Sequence, residues 1–193
     1  PHEGHPPHSM PLVMLGAALG SYFTTSRQLH ESNHFSFEPI REVGWLFVGI
    51  FLTMVPALDY LALHARSLGL DTPMQFYWLT GTLSGFLDNA PTYLTFLAAA
   101  MGAEGLSHTD PKDVLRFIDS NNHLLVAISL GAVFFGALTY IGNGPNLMLK
   151  SISTQLGVKA PGFFDYLLRY ALPILVPVLA IVALLFFSPW AIF

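Results

Sequence analysis

The sequence predicts an all-α integral membrane protein with a helical hairpin and a helix broken near its middle. Three observations carry that expectation. Hydrophobic residues fill 53% of the 193 positions and charged residues only 10%, with a mean hydropathy of +0.54, whereas a soluble domain carries roughly 25% charged residues. The charges gather in short clusters that separate apolar runs, several of them long enough to cross a bilayer. Two of these runs are interrupted by Asn-x-Pro, at Asn89-Ala90-Pro91 and Asn143-Gly144-Pro145. A soluble enzyme is therefore excluded as the simple reading. The net charge of -4 offers no basic surface, so no nucleic-acid partner is expected. The absence of cysteine rules out disulfide and thiolate chemistry.

Residues 1–26 read as a loop and a short hydrophobic segment. The opening PHEGHPPH is broken by prolines, so His2, His5 and His8 read as a solvated loop and not as a metal site. Leu12 to Thr25 would make a helix of about 21 Å, short of the roughly 30 Å hydrocarbon core; it fits the tail of a span or a re-entrant piece. No signal-peptide pattern precedes it, and a start at Pro1 suggests a piece of a longer protein. Residues 27–42 read as an amphipathic linker along the membrane surface.

Residues 43–193 read as one transmembrane unit. Its first span covers 43–63, with Asp59 at the interface. Residues 73–102 read as a hairpin of two arms, each about a dozen residues or roughly 18–20 Å. Asp71-Thr72-Pro73 starts the first arm and Gly102 stops the second; a single kinked span is the alternative. Residues 103–122 read as a loop with a turn at Asp110-Pro111 and room for a short helix over 111–119. Asn121 or Asn122 is placed to cap the next helix, and His123 reads as interfacial. Residues 123–156 read as the broken helix and 163–188 as the final span. With a hairpin, Arg27, Arg41, Lys150, Lys159 and Arg169 share one side, against Arg66, Lys112 and Arg116 on the other. The positive-inside bias then puts the first group in the cytoplasm.

Proline lacks an N–H and clashes with the preceding turn, so helices should stop at both Asn-x-Pro sequences. Asn suits the cap and Pro the first turn of a new half-helix. Asp88 lies at the first break. A carboxylate deep in an apolar run costs several kcal/mol unless it is paired, protonated or hydrated. Such a group can trade a proton for a cation; the bland alternative is a protonated helix cap. Asn89, Thr92 and, one turn earlier, Ser84 supply hard oxygens beside it, while Thr95 reads as a helix-interior hydroxyl. Gly142, Asn143, Gly144 and Asn146 flank Pro145 at the second break. Unwound carbonyls there can bind a cation, and a half-helix N-terminus can attract an anion; the alternative is a flexible kink. Polar backbone inside a membrane is tolerated only when buried in protein or lining a wet cavity, which favours a binding site. No HExxH, Walker A or GxSxG sequence is present, so no enzyme activity, catalytic residue or cofactor is expected, nor any metal beyond transported Na+.

The stretches Leu83-Ser84-Gly85-Phe86-Leu87-Asp88-Asn89-Ala90-Pro91-Thr92-Tyr93-Leu94 and Leu138-Thr139-Tyr140-Ile141-Gly142-Asn143-Gly144-Pro145-Asn146-Leu147, with residues 42–51, resemble the ion transporter superfamily. The similarity is to its citrate-transporter-like branch, often described as sodium:proton antiporters, and it covers nearly the whole chain after residue 10. It implies one repeat of an inverted-repeat transporter, the C-terminal half, with a re-entrant hairpin and a broken transmembrane helix. It also implies an N-terminal half as partner, a homodimer, and a place in the lipid bilayer of a bacterial inner membrane. Carboxylate transporters of the superfamily carry Ser-Asn-Thr at the hairpin tip. Here the tip reads Asp-Asn-Ala-Pro-Thr, which is more similar to the arsenite and sodium–proton branch. The function implied is Na+/H+ antiport, with Asp88 at the hairpin tip taking H+ or Na+ beside the helix break at Gly142–Asn146. A cation-coupled symporter of citrate or another small anion is the alternative, and a non-transporting membrane subunit is the alternative of another class.

Overall fold

A computed structural model describes residues 9–64, 67 and 69–188. Every regular element among the described residues is helical. The chain divides into two compact units, residues 1–37 and 38–193.

The first unit holds α1 (Ser9–Thr24) and α2 (Arg27–Ser32). At 16 residues α1 is about 24 Å long. The N-terminal loop with His2, His5 and His8 lies outside the described residues. Within residues 27–42, α2 is followed by a turn through His34, whose φ is +49°. Arg27 and Glu31 pair at 3.0 Å one helical turn apart. Tyr22, His30, Phe35 and Phe37 then cluster ring against ring, at centroid distances of 4.9–5.9 Å.

The second unit opens with α3 (Glu38–His64), which starts five residues before the expected span. The reason is local: Glu38 favours the positive end of the helix, and Pro39 is tolerated in a first turn because its missing N–H has no intrahelical partner there. Its 27 residues measure about 40 Å, more than the hydrocarbon thickness. The side chain of Asp59 and all of Arg66 lie outside the described residues.

Next come α4 (Pro73–Ser84) and α5 (Asn89–Ala103). Thr72 and Gln75 form a reciprocal capping box at the start of α4, with Pro73 in its first turn. The Phe76 ring lies 6.4 Å from that of Phe96. A continuous helix would hold positions twenty apart at about 30 Å, so α5 returns alongside α4 and the pair is a hairpin in shape.

The segment expected as a loop over 103–122 carries a ten-residue helix, α6 (Pro111–Ser120), where the sequence left room for a short one. Asp110 accepts from the Lys112 N–H and caps it. One face, Val114 and fully buried Phe117, packs on the core, while Lys112, Asp113, Arg116 and Asp119 occupy the others. The chain then bends by 98° into α7 (Asn122–Phe134), which a short 3-10 turn extends to Ala137. Asn121 stands at the N-cap of α7 but makes no side-chain cap hydrogen bond, and His123 is exposed.

After an unwound stretch, α8 (Gly144–Gln155) resumes, and α9 (Phe163–Phe187) closes the fold. Among the described residues α9 is the one unbroken helix found both long and apolar enough to cross a membrane. Its turns widen to π-type over Leu167–Leu175, where Pro173 and then Pro177 remove backbone donors. Tyr77 of α4 donates to the Leu179 carbonyl at 3.0 Å, tying α9 to the hairpin.

The helices α4 and α7 run side by side in the same direction. A Cβ on Gly131 would lie 2.6 Å from the Tyr77 carbonyl oxygen, and one on Gly81 would enter the Phe135 ring. Only hydrogen fits at these two positions, so the backbones approach closely, as small residues allow in membrane helix pairs. Ser84 meets Ala132 and Gly85 meets Leu138 further along, so both helices end at the same level. The core runs from Phe135 and Leu138 at this end to Phe76, Met101, Phe117 and Leu124 at the other.

Candidate functional site

The two interruptions meet. Four half-helix ends converge: the C-termini of α4 and α7 and the N-termini of α5 and α8. Each end leaves unpaired backbone groups, carbonyls at the C-termini and N–H groups at the N-termini.

Asp88 answers the N–H ends. It is the N-cap of α5, 7% exposed, and its Oδ1 accepts from the Ala90 N–H at 3.2 Å. Its Oδ2 accepts from the Gly144 N–H of α8, also at 3.2 Å. One carboxylate thus bridges the positive ends of two half-helices, which stabilise negative charge. A carboxylate offers about four lone-pair positions; these two bonds leave the others free.

The carbonyl ends gather around Gly142. A Cβ there would lie 2.7 Å from the Ser84 carbonyl oxygen and 2.9 Å from those of Gly85 and Gly136, so no side chain fits. Thr139, buried like its neighbours, donates to the Gly85 carbonyl at 2.5 Å and accepts from the N–H groups of Ile141 at 3.1 Å and Gly142 at 3.0 Å. Asn89 turns its amide nitrogen toward three oxygens: Gly142 O at 2.8 Å, Ala132 O at 2.9 Å and Ser84 Oγ at 3.0 Å. The opposite orientation would set its oxygen against acceptors only. Ser84 in turn donates to the Ala132 carbonyl at 2.5 Å.

Of the residues the sequence singled out, Ser84, Asp88, Asn89, Gly142 and Gly144 are therefore brought together by direct hydrogen bonds or close approach. Thr92 is fully buried one turn into α5 and donates back to the Asp88 carbonyl at 2.9 Å, a capping bond within its own helix. Asn146 reaches the Gly136 carbonyl only at 3.5 Å. Asn143 is the N-cap of α8, but its side chain makes no cap bond; the Asp88 carboxylate takes the Gly144 N–H in its place.

Three contributors were not picked out from the sequence. Thr139 holds the break, and its hydroxyl just before a Gly-Asn-Gly stretch is the turn signal that marks it. Gly136 supplies a carbonyl. Phe47 of α3 lies over Gly144, where an added Cβ would meet its ring at 3.0 Å. That contact puts α3 directly against the site.

Among the described residues no group of three His, Cys, Asp or Glu side chains gathers anywhere. The site has one carboxylate surrounded by neutral oxygens and amides. Such a set suits a singly charged, hard cation or a proton better than a divalent transition metal.

No curated protein and no solved structure matches the chain. A family model described as "putative citrate transport" matches residues 7–187. That match spans nearly the whole sequence and includes every element that builds the site. The chain belongs to this citrate transport family of membrane proteins.

Proposed function

We propose that the chain is the cation-handling unit of a secondary transporter and that it exchanges Na+ for H+ at Asp88. The observation that carries this reading is the placement of the Asp88 carboxylate. It lies between the N–H ends of α5 and α8, beside the carbonyl ends of α4 and α7. The N–H ends that would attract an anion already face a carboxylate. What remains is oxygen, and oxygen attracts a cation. Protonation and Na+ binding are two ways to neutralise the same group, so one displaces the other. In this reading α4 and α5 form a re-entrant hairpin in a bacterial inner membrane, and the chain works with an N-terminal inverted half, in a homodimer. It performs no covalent chemistry and carries no cofactor; Na+ and H+ are cargo.

A second reading is cation-coupled symport of citrate, which the family's description favours. Flux in proteoliposomes tests both. With a pH dye inside, a Na+ pulse should move protons through the wild-type protein, and Asp88→Asn should abolish the movement while the protein still inserts and folds. Undiminished exchange by Asp88→Asn removes Asp88 from the mechanism. Accumulation of radiolabelled citrate without Na+-driven proton movement selects the symporter. If no ion of the series Na+, Li+ and K+ shifts the melting temperature and Asp88→Asn is silent, the chain is a non-transporting subunit.

A further inference from the structure

A second cavity, of about 350 Å³, lies on the far side of the break along α8, lined by Asn146, Lys150, Ser153, Tyr140, Tyr166 and Ala137 among others. That volume is at the lower end of the roughly 300–1,000 Å³ typical of small-molecule sites. Asn146, Lys150 and Ser153 sit at i, i+4 and i+7, so one face of α8 presents an amide, an ammonium and a hydroxyl to it. The opposite wall is aromatic. Tyr140 and Tyr166 stack at 4.6 Å between ring centroids, and Tyr166 is fixed by donating to the Ala137 carbonyl at 2.8 Å.

Lys150 is the informative residue. Its ammonium folds back over the Tyr140 ring, 4.6 Å from the centroid, and the residue is half-buried. Among the described residues no carboxylate lies within ion-pair distance of it, although Lys150 also lines the neighbouring groove that Glu38 and Glu42 border. A half-buried cation without a direct ion pair is stabilised by an arriving anion. The cavity also adjoins the break through Asn146, whose bond to the Gly136 carbonyl is long at 3.5 Å.

We propose that this cavity is an anion subsite. Lys150 takes a carboxylate of a small carboxylate cargo, Asn146 donates to it, Ser153, whose hydroxyl donates to the Leu149 carbonyl at 2.8 Å, borders it, and the edges of Tyr140 and Tyr166 with Ala137 and Ala160 line the space for its carbon skeleton. Anion and cation then occupy separate places, one at Lys150 and one at Asp88, on opposite ends of a single break. The proposal deepens the second reading above and rests on it.

Equilibrium binding of radiolabelled citrate to the intact, detergent-purified protein tests it, at fixed pH with and without Na+. The expected result is saturable binding that weakens at least tenfold in Lys150→Gln, largely returns in Lys150→Arg, and weakens less in Ser153→Ala. Asp88→Asn should still bind citrate but lose the Na+ dependence. Wild-type affinity in a monodisperse Lys150→Gln protein overturns the subsite while leaving citrate transport standing. No saturable citrate binding by the wild type overturns the citrate reading and the subsite with it, whatever Asp88→Asn does to Na+-driven exchange.

Discussion

At the scale of single residues, the junction between hairpin tip and broken helix hangs on one hydroxyl. Thr139 Oγ1 makes three hydrogen bonds, to Gly85 O, Ile141 N and Gly142 N, in a position 1% exposed. Replacing it by valine keeps the shape and strands all three partners. An unsatisfied buried polar group costs about 1–3 kcal/mol. Thr139→Val should therefore lower the melting temperature in detergent by several degrees and reduce flux, whereas Thr139→Ser should hold both near wild type. A Thr139→Val protein that melts with the wild type would show that the clamp contributes little. The same residues show how far the sequence could be read. Asp88 stood out because a charge in an apolar run is costly wherever it points, and the capping chemistry of Asp-Asn-x-Pro is local. Its second bond, to Gly144, joins positions 56 apart in the chain. The Thr139 bond to Gly85 spans 54. Nothing in residue spacing encodes such pairings, so each break could be located from the residues alone, while their meeting was legible only through the family resemblance. Asn143 illustrates the converse: the right residue for a cap occupies the cap position, yet a remote carboxylate performs the task.

At the scale of elements, the parallel pairing of α4 with α7 sets the level at which both helices end. Gly131 makes that pairing possible, since its Cα faces Tyr77 O, Gly81 N and Thr80 Cβ. A leucine there must push the helices apart, which separates Ser84 from Ala132 and shifts the α4 carbonyls away from Gly142. Gly131→Leu is expected to unfold in detergent at distinctly lower temperature than wild type and to lose Na+-driven exchange. Gly44→Leu, at a position with nothing within 4 Å of the added Cβ, serves as the control for a bulkier residue in an apolar helix. Equal melting of the two variants would count against close α4–α7 packing. Helix α6 was only half legible in the sequence, for a physical reason. Its turn signals at Asp110-Pro111 and its four charges outweigh a short apolar stripe of Val114 and Phe117, and only the core beneath that stripe makes it worth burying. The long apolar helices needed no such help, because in lipid a helix satisfies its own backbone and composition alone selects it.

At the scale of the whole molecule, the arrangement makes a statement about sidedness that a continuous helix would contradict. The start of α4 and the end of α5 lie at one end of the hairpin: Leu70, Asp71, Phe76, Ala103 and Glu104 line one cavity with Leu124 of α7. Because α7 runs parallel to α4, an α8 that continues α7 past the break is expected to end at the other side. The chain has no cysteine, so single cysteines can be introduced without background. Cysteines replacing Asp71 and Glu104, both solvent-facing outside their helices, should react with a membrane-impermeant maleimide from the same side of the membrane. A cysteine replacing Gln155, exposed at the end of α8, should react from the opposite side. Labelling of the Asp71 and Glu104 positions from opposite sides would mean that α4 and α5 together cross the bilayer. The convergence of the four half-helix ends would then have to be abandoned, because the two arms could not fold back on each other. Labelling of all three from one side would keep the hairpin but place α8 as a second re-entrant arm, and the Lys150 cavity would then open toward the same compartment as the mouth of the hairpin.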